Sequence, residues 1–400
     1  MKKSDTKSNY WRVFVLCFLT AVLLFLPHCI IDAAAGGGYF HYAGDFNDQQ
    51  INFYQYANAF VKQGGTFSWA TDLGSGFVNS YSFYLLGSPF FWLSLAVPAR
   101  LMPWAMVPLL CLKMAVAGGG AYLWARRWVR EEGWSMLAGC LYAFSGFSIY
   151  NIFFNHFLDV VALFPYLLAA LDDAAIDGKK GRFPFWVALN LLNNYFFFAG
   201  QAVFLIIYFF CMVAGRRYRI GLRRFAALAW ETALGCACGC LLLLPAGLSL
   251  LQNPRTIDPF TGYGYLFYGK SQQYGAIFYS PFLMPDAPYF KDMFQEGILK
   301  HTSLTAYLPL VGAAGGLAFC RTQDRHPFTR ILKVCVVCAF VPVLNSAFYA
   351  LNSSFYARWY YMPILVLCGA TCCLLSRPAL AERSLPRAFG LTTFITLTAA

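Results

Sequence analysis

VFVLCFLTAVLLFLPHCII, residues 13–31, carries no acidic side chain, lysine or arginine. A run of about 20 apolar residues is long enough to cross a hydrocarbon core roughly 30 Å thick. Lys2, Lys3, Lys7 and Arg12 precede it. Basic residues are retained on the cytoplasmic side, so the N-terminus lies inside and this helix, about 12–31, runs outward. The run reads better as a signal-anchor helix than as a cleavable leader.

The rest of the chain repeats this pattern. Apolar residues make up 59% of it, charged residues only 12%, and the mean hydropathy is +0.53. A soluble domain carries about 25% charged residues, so a single water-soluble core is excluded. The net charge of +12 does not point to nucleic acid, because the Lys and Arg fall in short clusters between apolar runs. Most of the 14 cysteines lie inside those runs, as at Cys236, Cys238, Cys240, Cys372 and Cys373. They read as small apolar packing residues, not as disulfides or a zinc site.

The expected fold is all-α, a polytopic transmembrane helical bundle. After the first helix comes a polar and aromatic outer loop, 32–82, and loops that long are usually functional. Residues 83–98 are apolar but interrupted by Gly87, Ser88 and Pro89. If they spanned, Arg126, Arg127 and Arg130 would face outward, so charge bias favours an interfacial helix there, with 104–125 running inward. Residues 134–150 then run outward and 160–171 return to the basic group Lys179, Lys180 and Arg182. The stretch 184–213 is too long for one span. Its polar centre, from Asn193-Asn194-Tyr195 through Gly200-Gln201, suits a tight outer turn between two short helices. That hairpin keeps the next basic cluster, Arg216 to Arg224, on the same side. Residues 225–250 run outward to a second outer loop, 251–303. Further spans are expected at about 304–320, 330–350, 358–376 and 389–400, with Arg321, Arg325 and Arg330, then Arg377, Arg383 and Arg387, in inner loops. The division is a transmembrane module over 1–250, an outer loop over 251–303, and more helices over 304–400. The sequence stops inside an apolar run, as expected of a truncated form.

Four features can carry chemistry. Asp45 and Asp48 lie with Asn47, Gln49 and Gln50 just after the first helix. Paired carboxylates can act as a general base or hold a divalent cation, or serve only to cap a helix in a solvated loop. No cofactor is fixed by the sequence. Asn151, Asn155, His156 and Asp159 sit at an outer helix end. Asn155 and Asp159 share a face if the helix continues, and His156 can meet a phosphate as a cation or donate as a neutral ring. Lys113 lies in mid-run, where a lysine costs about 3 kcal/mol unless it snorkels or finds a partner such as phosphate. Arg358, in Ser353-Ser354-Phe355-Tyr356-Ala357-Arg358-Trp359-Tyr360, can anchor at the interface or clamp a phosphate. No Walker loop, zinc-protease helix or serine elbow occurs, so any donor is not a nucleotide held by such a loop.

Gly44-Asp45-Phe46 with Gln49, then Phe53-Tyr54, Ser68-Trp69, Leu73-Gly74-Ser75-Gly76, and Tyr84 with Ser88-Pro89, resembles the opening blocks of the bacterial membrane protein family YfhO. Leu141 to Phe147, Leu158-Asp159 with Phe164-Pro165, Asn193-Asn194-Tyr195 and Arg358-Trp359 are similar to its later blocks, in order. Where the family often has Met-Trp before Leu-Asp, this chain has His156-Phe157. Family members are also much longer. The family in turn resembles GT-C glycosyltransferases, multi-helix enzymes that transfer sugar outside the membrane from a polyprenyl-phosphate carrier. The resemblance implies Asp45 as base and a cell-envelope polymer such as teichoic acid as acceptor. Lys113 and Arg358 are the cations open to the carrier phosphate, and membrane lipid surrounds the whole. Two other readings are a polyprenyl-linked sugar flippase or transporter, which needs polar groups through the midplane, and a non-catalytic envelope assembly factor.

Overall fold

A 32-residue helix, α1 (Lys3–Ala34), opens the computed structural model, which describes residues 3–251, 264–269, 271–285, 306–309, 311–351 and 357–399. The helices that follow are α2 (Asn52–Gln63), α3 (Met102–Ala125), α4 (Glu132–Ala143), α5 (Phe157–Asp172), α6 (Arg182–Asn193), α7 (Tyr195–Ala214) and α8 (Leu222–Leu251). After them come α9 (Gly312–Thr322), α10 (Pro327–Phe340), α11 (Tyr361–Leu375) and α12 (Pro378–Ala399). Among the described residues there is no β-strand, only an isolated bridge between Phe67 and Gly76. Among the described residues, five segments are long and apolar enough to cross a membrane: Thr6–Ala34, Ala99–Ala125, Glu132–Phe154, Tyr195–Ala214 and Leu222–Ser249. The protein is a helical membrane bundle.

Side-chain contacts define two ends. At one, Arg127 bonds to Asp173 and Asp177, and Lys179 and Arg182 join the same carboxylates. Behind them the fully buried Asp172 accepts from Tyr208 (3.1 Å), Tyr218 (2.6 Å) and Trp128 Nε1 (3.1 Å). These contacts tie the end of α3, the end of α5, the start of α6 and the turn after α7 to one level. At the other end of α5 lie His156 and Asp159. A rise of 1.5 Å per residue places that level about 20 Å from Asp172.

The stretch 184–213 divides as expected. α6 ends at Asn193 and α7 starts at Tyr195. Asn194 is extended, with φ −160° and ψ 103°, and its side chain accepts from the backbone N–H of Phe196 and Phe197. This satisfies two of the orphan donors of a new helix.

Residues 83–98 do not span. They form a π-helical turn, Ser82–Leu86, and a six-residue helix, Pro89–Ser94. The latter is about 9 Å long, far short of a bilayer. The break falls at Gly87, because a Cβ there would lie 1.5 Å from the Leu192 carbonyl oxygen. The backbone can therefore lie against the end of α6 only through a glycine.

Some boundaries differ from expectation. The return over 160–171 is longer: α5 continues into a π-helical turn, Asp173–Asp177. Arg383 and Arg387 lie on α12, which begins at Pro378 rather than 389; both face outward from it, so a helix carries them without burying charge. Arg330 likewise lies on α10, which begins at Pro327. Proline at the first helical position explains both early starts. Most of the expected loop 251–303 lies outside the described residues, as do residues 353–356 of the Ser353–Tyr360 feature.

Candidate functional site

Asp45 stands at the head of a π-helical turn, Phe46–Ile51. Such turns are rare and frequent at functional sites. Gly44 before it takes φ +40°, a conformation open to glycine without steric cost. The Asp45 carboxylate makes no capping hydrogen bond, so capping does not account for it. It is half-buried, while Asp48 is exposed and Gln49 half-buried on the same turn. Burial, then the like charge of Asp48, raises the Asp45 carboxyl above its ordinary range, with the Arg358 guanidinium pulling the other way.

The turn's last polar residue joins it to the second sequence feature. Gln50 is fully buried, and its Oε1 accepts from His156 Nδ1 at 3.4 Å. An amide oxygen can only accept, so Nδ1 carries the proton. His156 lies in the turn before α5, ringed by Phe83, Tyr84 and Phe157 at 5.2, 5.0 and 4.7 Å. Burial, helped by the charges of Arg358 and Lys113, pushes it well below the usual imidazole range. It is therefore a neutral donor at pH 7, not a cation.

Arg358 comes from the other half of the chain. Its guanidinium lies over Phe154 (5.7 Å) and Phe157 (5.2 Å). Its backbone N–H donates to the Tyr349 hydroxyl at 2.7 Å. Asp45, His156 and Arg358 thus share one electrostatic neighbourhood. An apolar cavity of about 320 Å³ begins at the next two residues, Trp359 and Tyr360, and continues past Phe282, Leu332, Cys320 and Leu367 between α9, α10 and α11.

Lys113 is placed differently. It is 1% exposed, and its Nζ lies 2.5 Å from Asp159 Oδ1. It also donates to the Asn155 backbone oxygen (3.1 Å) and side-chain Oδ1 (2.8 Å). The second carboxylate oxygen accepts from Ser88 Oγ at 2.5 Å. The rings of Tyr54 and Phe90 close over the ammonium at 5.7 and 5.6 Å. Its charge is thus matched inside the protein, and snorkelling does not occur. Asn155 and Asp159 do meet on one lysine, but not through a shared helical face. Residues 151–154 are a 3-10 turn and α5 starts only at Phe157, so Asn155 reaches Lys113 through a bend.

Two members of this site, Gln50 and Ser88, stand in the sequence features without a role of their own. Ser88 is legible in hindsight, since Ser-Pro is a helix-start signature and its Oγ accepts from the Phe91 N–H. Gln50 carries no such signal. Among the described residues no group of three His, Cys, Asp or Glu side chains is spaced to hold a metal. Asp45 and Asp48 alone make an incomplete cage for a divalent cation.

The site therefore belongs to a polytopic helical membrane protein with a polar cluster at one end of its bundle. The chain is a member of the family described as bacterial membrane protein YfhO, whose family model matches residues 16–400. No curated protein matches the chain, and no solved structure does.

Proposed function

We propose that this protein is a membrane glycosyltransferase, moving a sugar from a polyprenyl-phosphate carrier to a cell-envelope polymer such as teichoic acid on the outer face of the plasma membrane. One observation carries the reading: a half-buried carboxylate with no structural partner at its helix start, Asp45, shares a pocket of charge with Arg358.

The chemistry asks for little more. Asp45 takes the proton from the acceptor hydroxyl as that oxygen bonds to the anomeric carbon of the sugar. The bond from that carbon to the phosphate oxygen breaks, and the polyprenyl phosphate leaves with the electron pair. Arg358 meets the negative charge growing on that phosphate. Asp48 keeps Asp45 basic by like-charge repulsion. Gln49 offers hydrogen bonds to sugar hydroxyls, and the neutral His156 offers Nε2 as an acceptor. Lys113, Asn155 and Asp159 hold the floor of the site in place, a positioning role. The apolar cavity running from Trp359 suits an isoprenoid tail. A flippase is less favoured, because residues 160–171 of α5, between the two polar ends, carry no charged, Asn or Gln side chain.

The test is chemical analysis of envelope polymers from a strain lacking the gene. Loss of one sugar substituent, restored by the wild-type gene, is the expected result. Unchanged sugar content on every polymer overturns the proposal.

A further inference from the structure

The two basic clusters at the Asp172 end differ in one respect. Arg127, Lys179 and Arg182 are matched by Asp173 and Asp177. Arg216, Arg217 and Arg325 are not matched. They line a second cavity, of about 550 Å³, together with Thr322, Gln323, Asp324 and His326. Its one carboxylate, Asp324, is engaged by Lys333. Among the described residues, Arg216, Arg217, Arg325 and the nearby Arg377 form no ion pair. The positive field is felt by its neighbour: burial, then the charges of Arg217 and Arg377, pushes His326 down to about 4.

The turn after α7 adds an independent observation. The Arg217 N–H bonds to the Met212 oxygen and the Arg216 N–H to the Val213 oxygen, both at 2.9 Å. This is the Schellman pattern, whose left-handed position is normally glycine. Here it is Arg216, with φ +57°. A side chain at that position strains the backbone, and glycine would remove the strain. The residue there is one that lines the cavity. The 14-residue helix α10 begins at the same cavity; His326 caps its Phe328 N–H, and the positive end of the helix dipole favours an anion there.

We propose that this cavity binds a phosphate group, with the three guanidiniums as its bidentate donors. The phosphate comes either from an anionic phospholipid headgroup in the adjoining leaflet or from soluble phosphate. The site lies about 20 Å or more from Asp45 along the bundle and does not depend on the transferase reading.

The test uses the full chain in two arms. In the first, protein reconstituted with phosphatidylglycerol and phosphatidylcholine is released into mild detergent, and retained lipid is counted by native mass spectrometry. In the second, delipidated protein is titrated with inorganic phosphate. Binding in either arm supports the site and names its source. The triple variant Arg216→Gln, Arg217→Gln, Arg325→Gln is expected to lose that binding at least about 10-fold. The triple Lys180→Gln, Arg219→Gln, Arg223→Gln removes the same charge from exposed positions at the same end and is expected to stay within twofold. Arg216→Gly separates binding from folding: its melting temperature rises while its binding falls. Equal loss in both triples, or no binding in either arm, overturns the proposal.

Discussion

Asp45→Asn is expected to lower sugar transfer by about 10²- to 10⁴-fold, the usual worth of a general base, with normal accumulation in the membrane. The amide keeps the size of the carboxylate but cannot accept a proton. Because the side chain makes no capping hydrogen bond, the amide costs the helix start no cap, and the fold should persist. The pH profile supplies a second readout. The base works unprotonated, so transfer rises with pH through its pKa. Burial and Asp48 raise that pKa, placing the limb above the ordinary carboxylate range. Asp48→Asn removes the like charge, so the limb moves to lower pH while the plateau persists. Assay of membranes from a complemented deletion strain decides the matter. Transfer by Asp45→Asn at the wild-type level, across all pH values, would remove the base from the mechanism.

The second large effect is on stability. Breaking a buried ion pair from one side leaves an uncompensated charge, at a cost of about 3–5 kcal/mol. Asp159→Leu strands the Lys113 ammonium with only Asn155 oxygens and two ring faces beside it. Lys113→Met strands the carboxylate with only Ser88. Each single variant should therefore unfold at markedly lower temperature in detergent. The double variant, Lys113→Met with Asp159→Leu, should recover most of the loss, because apolar isosteres can replace a buried pair with little net cost. Thermal unfolding of the four proteins measures the coupling directly. Two singles with wild-type stability would show that the pair does not hold the floor of the site.

Much of this arrangement is legible in the chain itself, and the reason is the solvent. A bilayer demands long apolar runs and sorts Lys and Arg to one side, so the alternation of runs and basic clusters encodes the order of crossings. The hairpin at Asn193-Asn194 follows the same logic. Two basic clusters, at Arg182 and Arg216, must return to one side, and Asn194 provides the cap that lets α7 restart. The acid at Asp45 is readable because the loop after the first helix carries so few charges. What escapes is tertiary pairing. Nothing local to Lys113 names Asp159 as its partner, since no periodicity links residues that far apart. A lysine in an apolar run implies a counter-charge somewhere, but a phosphate satisfies that requirement as well as a carboxylate does. The same holds for Asp172, whose partners Trp128, Tyr208 and Tyr218 come from three other segments. The π turns at Phe46–Ile51 and Ser82–Leu86 leave no compositional mark either. They re-aim Gln50 and Ser88 into the site, and this is why the roles of those two residues emerge only from the fold.

Transfer outside the membrane requires the turn carrying Asp45 to face the exterior. Asp48 is exposed on that turn and Lys180 is exposed at the opposite end, so Asp48→Cys and Lys180→Cys each present a thiol to solvent. A membrane-impermeant maleimide applied to intact cells should label Asp48→Cys above the wild-type background, and Lys180→Cys only after permeabilisation. Labelling of Lys180→Cys in intact cells, with Asp48→Cys protected until the membrane is opened, would put the acid in the cytoplasm and contradict the account.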